Sequence, residues 1–189
     1  MLVDLGSAPP SNAYLTSVTL RRPEKHFPLR VFVCEQCWLV QAEDYSRAAE
    51  LFNDEYAYFS SFSAAWLEHS RVYTDLVVER FGINKDSFVV EVASNDGYLL
   101  QFFKDRSIPC LGIEPTSSTA SAARLKGIDT LEKFFGIDLA TELVESGKRA
   151  NLMAANNVLA HVPEINDFVT GFQILLADDG VATFEFPHL

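Results

Sequence analysis

From Ser87 onward the chain alternates short apolar runs with amphipathic stretches. Phe88–Val92 reads as a buried strand, followed by a turn and a helix through Leu99–Phe103. Cys110–Ile113 predicts a strand, Thr119–Leu125 a helix, Ile128–Leu131 a short strand and Asp138–Val144 a helix. Leu152–Asn156 predicts another strand, Ile165–Leu176 a helix and Val181–Phe186 a final strand. Strands alternating with helices at this spacing make βαβ units, so the expected fold is α/β with a mostly parallel sheet of about five strands. Upstream the texture changes. Residues 46–84 place Leu51, Phe52, Trp66, Val72, Leu76, Val77 and Phe81 at helical spacing, around an aromatic and hydroxyl-rich stretch, Glu55–Ser63, that suits a lid. Residues 1–45 carry Pro9, Pro10, Pro23 and Pro28 and short β-leaning runs such as Leu29–Val33, as in a small loop-rich module. Three expected divisions follow: a module over 1–45, a lid over 46–84 and a core over 85–189.

Composition narrows the class. With 48% hydrophobic and 22% charged residues the chain is an ordinary globular one. Fifteen Phe hint at an apolar pocket or interface beyond routine core. The net charge of −11 argues against a nucleic-acid partner, which needs a basic footprint. The basic group Arg21, Arg22 and Lys25 reads as a solvated turn. No segment approaches the ~20 apolar residues of a membrane span, and Met1–Gly6 lacks the basic and apolar regions of a signal peptide. Three cysteines make no disulfide framework, so a reducing cytoplasm is expected.

The chemistry concentrates in Val89-Val-Glu91-Val-Ala93-Ser94-Asn95-Asp-Gly97-Tyr98. A strand ends in an acid, the chain turns through small residues, and a helix begins near Gly97. Such a loop lets backbone approach a ligand and offers free N–H groups. A dinucleotide site would carry G-x-G-x-x-G for the pyrophosphate. A carboxylate with a single glycine instead suits a cationic ligand end, such as the ammonium of a methionine moiety. Glu114, in Gly112-Ile-Glu-Pro115, ends the next strand 23 positions later, where an acid can accept hydrogen bonds from both ribose hydroxyls of an adenosine. Asn156, Asn157 and His161 follow the fourth strand, at the carboxyl edge where open α/β sheets place ligands. Cys34-Glu-Gln-Cys37 is half of a structural zinc knuckle, which needs four ligands; Cys110 lies inside the expected sheet, and His26 is a speculative third ligand.

Taken in order, several blocks resemble the sugar C-methyltransferases of antibiotic deoxysugar pathways. They are Val3-Asp-Leu-Gly6 with Pro10-Ser-Asn12, Cys34-x-x-Cys37 with Leu39-Val-Gln41, and Tyr56-x-Tyr58-Phe-Ser-Ser61. The run continues through Glu91–Leu100, Gly112-Ile-Glu-Pro115, Phe134-Phe-Gly136, Asn156–Val162 and Glu185-Phe-Pro-His-Leu189. The resemblance implies a zinc-ribbon-like N-terminal module, a Rossmann-like class I methyltransferase core, and methyl transfer from S-adenosylmethionine to a carbon beside the ketone of a nucleotide-linked 4-keto-deoxysugar. By motif position, Glu91, Ala93, Ser94, Asn95, Gly97 and Tyr98 would line the methionine end, with Asn156 and Asn157 also in the cofactor site. Glu114 and Pro115 would meet the ribose, Phe135 the adenine, and His161 and Tyr56 the sugar. Cys34 and Cys37 would be zinc ligands of an incomplete site, the family's first cysteine pair falling before Met1.

The family also continues past Leu189 into a stretch that carries its main acid/base group. The expectation is therefore a fragment that binds cofactor with little or no transfer activity. It could self-associate through an open sheet edge. The alternatives are an NAD(P)-dependent oxidoreductase or epimerase, and a non-catalytic cofactor-binding or scaffold fragment.

Overall fold

The computed structural model describes residues 1–11, 14–45 and 58–186, and its contacts divide the chain into two compact units, Met1–Tyr58 and Phe59–Leu189. In the first unit β1 (Val3–Ala8), β2 (Phe27–Val33) and β3 (Val40–Ala42) pair antiparallel in the order β1-β2-β3. No residue of these strands is buried, so the sheet has no apolar core of its own among the described residues. The β2–β3 connection holds the cysteine pair. It is closed by Cys34 N–H donating to the Leu39 carbonyl at 2.9 Å and Trp38 N–H to the Cys34 carbonyl at 3.0 Å.

The second unit opens with helix α1 (Ala64–Phe81). It starts where the Ser63 hydroxyl accepts the Trp66 N–H at 3.2 Å, and stops at Gly82, whose φ of 65° takes the left-handed turn that ends helices. Then follow β4 (Val89–Val92), α2 (Leu100–Asp105), β5 (Cys110–Ile113), α3 (Ser117–Leu125), β6 (Thr130–Leu131), α4 (Ile137–Glu145), β7 (Ala150–Asn156), α5 (Ile165–Leu175) and β8 (Leu176–Glu185). The sheet runs β6-β5-β4-β7-β8, with every neighbouring pair parallel. The chain winds outward from β4 in one direction, then returns to β7 on its other side. That reversal opens a crevice at the carboxyl ends of β4 and β7.

Strand alternation sorts the side chains. Val90 and Val92 of β4, with Met153 and Ala155 of β7, pack in one cluster with Leu139 and Leu143 of α4 and Phe168 and Phe172 of α5. Val89, Leu152 and Ala154 face the other way, into a cluster with Val77 of α1, Leu100 and Phe103 of α2, and Ala123 of α3. Glu91 and Asn156 share the parity of that second face.

Two strands differ from the expected bounds. Strand β6 is only two residues, because Ile128 is spent filling the α1–α3 cluster rather than pairing. Strand β8 begins at Leu176 instead of Val181. Its register with β7 jumps from Ala150↔Leu176 to Leu152↔Val181, so Ala177–Gly180 loops out of the ladder.

Gly97 stands where the β4 loop enters the α2 region. Its φ is 75°, and a Cβ there would fall 2.4 Å from Ile128 Cδ1 and 3.3 Å from Ala123 Cβ. Gly147, at φ 83°, would meet nothing within 4 Å. Gly97→Ala is therefore expected to lower urea-unfolding stability by about 2–4 kcal/mol, and Gly147→Ala by only about 1 kcal/mol. Equal losses in the two variants would contradict the packing role.

Candidate functional site

The loop after β4 is held in an unusual conformation. Ala93, Asn95 and Gly97 have φ of 58°, 50° and 75°, so two non-glycine residues sit in the left-handed region within five positions. That conformation is disfavoured for residues with a Cβ and persists only where surroundings enforce it. The surroundings here are named contacts. Glu114, buried at the end of β5, accepts the Asn95 N–H on Oε2 and the Thr116 N–H on Oε1, both at 2.9 Å. The Ser60 N–H donates to Asn95 Oδ1 at 2.9 Å, and the Ser61 N–H to Asp96 Oδ1 at 3.3 Å. The Ser61 hydroxyl also donates to Asp96 Oδ2. Lys126 Nζ closes the group, donating to the Asp96 carbonyl at 2.8 Å and to Asp96 Oδ2 at 3.1 Å.

At the centre stands Glu91, with none of its surface exposed. Neither carboxylate oxygen has a hydrogen bond of regular geometry, and Ser94 Oγ, three positions on, and Thr116 Oγ1, after β5, are likewise buried without a partner. Burial pushes the Glu91 carboxyl well above its usual range. The Tyr98 hydroxyl eases the charged form, while the Glu114 and Asp96 charges raise it further. The Tyr98 hydroxyl accepts from Asn156 Nδ2 at 3.4 Å and also interacts with the Glu91 carboxyl, without a hydrogen bond of regular geometry there. Orphaned buried polar atoms are rare in native proteins, and a buried carboxyl of this kind below a strained loop is a candidate place for a ligand. A cation or a hydrogen-bond donor there would relieve Glu91. A separate cavity of about 370 Å³, lined by Phe88, Cys110, Leu111, Arg124 and Lys148 among others, contains none of these orphaned atoms.

The structure gathers Glu91, Ser94, Asn95, Gly97, Tyr98, Glu114 and Asn156 around this loop, with Ala93 and Pro115 on its half-buried rim. Asn157 is exposed, has a φ of 54°, and donates its N–H to the Glu185 carbonyl at 2.6 Å. His161 ends a short 3-10 turn, Leu159–His161, and is exposed; among the described residues no hydrogen bond or ion pair holds its ring. Phe135 packs edge-on against Phe168 and Phe172, with centroids 5.7 and 5.2 Å away, in the cluster on the opposite face from Glu91. Tyr56 lies outside the described residues. Sequence reading did not single out Ser60 and Lys126 or the use of Ser61. Their contacts span 30 to 65 positions, and nothing local signals them.

Cys34 and Cys37 are free thiols on the β2–β3 connection, and Trp38 takes a φ of 64° to turn the chain there. The Cys34 thiol is lowered below its usual value by the backbone N–H of Cys37, then that of Gln36 and the Cys37 side chain. The turn is suited to thiolate, hence to zinc. No group of three or more His, Cys, Asp or Glu able to hold a metal occurs among the described residues. Two thiols do not complete a tetrahedral site, so zinc enters no step below.

Three kinds of similarity to known proteins bear on the chain. Residues 1–52 match the family model described as "Putative zinc binding domain". All of the chain aligns, at 31% identity over 188 residues, with the C-methyltransferase NovU of Streptomyces niveus. The chain is similar to that C-methyltransferase over its own whole length. It spans 44% of that relative's length. Among solved structures, DesVI of Streptomyces venezuelae superposes with a TM-score of 0.53 at 18% identity, covering 67% of this chain and 52% of its own. The sugar N-methyltransferase KedS8 of Streptoalloteichus sp ATCC 53650 gives 0.50 at 19%, covering 65% and 48%. At those identities they show the fold alone, an α/β unit around a five-stranded parallel sheet. Among the described residues no helix is long and apolar enough to cross a membrane.

The buried acid gives a pH test. Because the folded chain raises the Glu91 carboxyl above 4.5, it binds that proton more tightly than the unfolded chain does. The resulting stability is complete below about pH 4.5 and is lost as pH rises through the raised value. Glu91→Gln removes the titration. Without ligand, its urea midpoint should gain on the parent's as pH rises from about 4 to about 8. A difference that stays constant across that range would refute the assignment.

Proposed function

We propose that the chain is the cofactor-binding part of an S-adenosylmethionine-dependent C-methyltransferase acting, in the cytoplasm, on a nucleotide-linked 4-keto-deoxysugar. The observation that carries this reading is Glu91, a buried carboxylate with no hydrogen bond of regular geometry, below a strained loop at the sheet's reversal point. When bound, S-adenosylmethionine supplies an electrophilic methyl on a sulfonium, and its methionine end supplies the cationic donor that Glu91 lacks. Glu91, Ser94 and the backbone of Ala93, Asn95 and Gly97 hold that end. Tyr98 and Asn156 bound it from the α2 and β7 sides. Glu114 keeps an unused lone pair on each oxygen after serving Asn95 and Thr116, enough to accept two ribose hydroxyls. By motif position Phe135 would bound the adenine, and Asn157, exposed after β7, would line the cofactor site.

For carbon methylation, a base must take the proton beside the ketone, and the resulting enolate carbon must lie in line with the methyl. His161, exposed after β7, would hold or move a proton there, and Tyr56, by motif position, would serve the same acceptor. Glu91 and its neighbours contribute by fixing the donor so that the acceptor approaches from one side.

Isothermal titration of the 189-residue chain tests the reading. S-adenosylhomocysteine should bind one-to-one, NAD should not bind, and Glu91→Ala should weaken S-adenosylhomocysteine by about tenfold, the equivalent of one charge-assisted hydrogen bond. NAD binding in its place would reverse the reading toward an oxidoreductase.

A further inference from the structure

Beyond the cofactor loop, a second polar group occupies the same crevice from the side of α1. Residues 66, 69 and 73 recur at i, i+3 and i+7 on one helix face. Tyr73 shares a hydrogen bond with Thr183 Oγ1 at 2.5 Å, and His69 Nε2 pairs with Glu185 Oε2 at 2.7 Å. Four helix positions cover about 6 Å and two strand positions about 6.6 Å, so α1 runs antiparallel to β8 with these contacts in step. Thr183 is level with Ala154, and Ala154 with Glu91; Glu185 is level with Asn156. The inner contact is therefore in the row of Glu91, and His69–Glu185 lies one step further out, beside Asn156 at the mouth.

The two contacts differ in character. Tyr73 is largely desolvated, and burial raises its hydroxyl to about 12. His69 and Glu185 are about half open to solvent, with side-chain exposures of 47% and 37%. A surface pair of this kind contributes little to stability, yet this one is held on two sides. The Trp66 ring stacks on His69 with centroids 4.9 Å apart and an interplanar angle of 23°, and it also lies 5.9 Å from Tyr98. Glu185 is anchored through its carbonyl by the Asn157 N–H. A histidine whose Nε2 is taken by a carboxylate keeps Nδ1 as its remaining polar atom, with ring orientation and tautomer set by that carboxylate.

We propose that His69 is an acceptor-binding residue: its Nδ1 accepts a hydrogen bond from the methyl acceptor at the mouth of the cofactor site, with Glu185 as the positioning residue behind it. The assignment rests on the methyltransferase reading above, and it adds the residue pair on the α1–β8 side that contacts the second substrate.

The test is titration of the 189-residue chain with S-adenosylhomocysteine, and then with dTDP-4-keto-6-deoxyglucose at saturating S-adenosylhomocysteine. His69→Ala and Glu185→Gln should each weaken the sugar nucleotide by about tenfold, one hydrogen bond's worth, and leave S-adenosylhomocysteine affinity within about twofold. Should His69→Ala fail to fold, the 15N resonance of His69 Nδ1 in the parent decides: it should move on adding the sugar nucleotide and stay in place on adding S-adenosylhomocysteine alone. Equal loss of both ligands would make the pair structural and overturn the proposal. So would an unmoved Nδ1 resonance, unaltered sugar binding in the variants, or a parent chain that binds S-adenosylhomocysteine but not the sugar nucleotide. Failure of S-adenosylhomocysteine itself to bind would overturn the methyltransferase reading instead.

Discussion

Everything at the crevice depends on one costly placement, the Glu91 carboxylate sealed near the end of β4 with no hydrogen bond of regular geometry. A group like this destabilises the fold unless it is protonated or paired. The parity of β4 sends it to the α1–α3 face, and the strained loop above it keeps Ala93, Asn95 and Gly97 from relaxing over it. Glu114 then holds the loop in that shape through the backbone N–H groups of Asn95 and Thr116, and Asp96 ties it to the Ser61 N–H and hydroxyl and to Lys126. The site is thus prepared at the expense of the apo chain, as expected where a ligand completes the polar network.

The segment that includes Ser60 and Ser61, followed by α1, forms a second wall. Its first residues hold the loop through Asn95 and Asp96, and its later face meets β8 through Tyr73 and His69. One continuous stretch of chain therefore touches both the cofactor loop and the outer strand. Anything that shifts α1 along β8 would also shift the contacts on Asn95, which couples the two ends of the crevice mechanically.

Much of this was legible in the sequence, for a physical reason in each case. The alternation of apolar runs and helices marks all five strands of the parallel sheet, because strands covered on both faces must be apolar throughout. The acid ending β4 and the one ending β5 stand out for the same reason, as charges at the close of apolar runs. The length of β6 was not legible, since Ile128 is as apolar in a cluster as in a strand. The early start of β8 was hidden by a loop-out at Ala177–Gly180 that periodicity does not register. Phe135 reads as an aromatic near a ligand, and only packing shows its edge-on contacts with Phe168 and Phe172. Ser60, Lys126 and the His69–Glu185 pair act across long sequence separations, where no local pattern points to a partner.

The central claim is that the orphaned Glu91 carboxylate receives the cationic end of the cofactor. A crystal structure of the chain with S-adenosylhomocysteine tests it most directly. The account places the ligand's ammonium over Glu91, within hydrogen-bonding reach of about 3 Å, its ribose on Glu114, and the loop from Ala93 to Gly97 unchanged. Density for the ligand elsewhere, for instance in the cavity beside Arg124 and Lys148, with Glu91 still unpartnered, would contradict it.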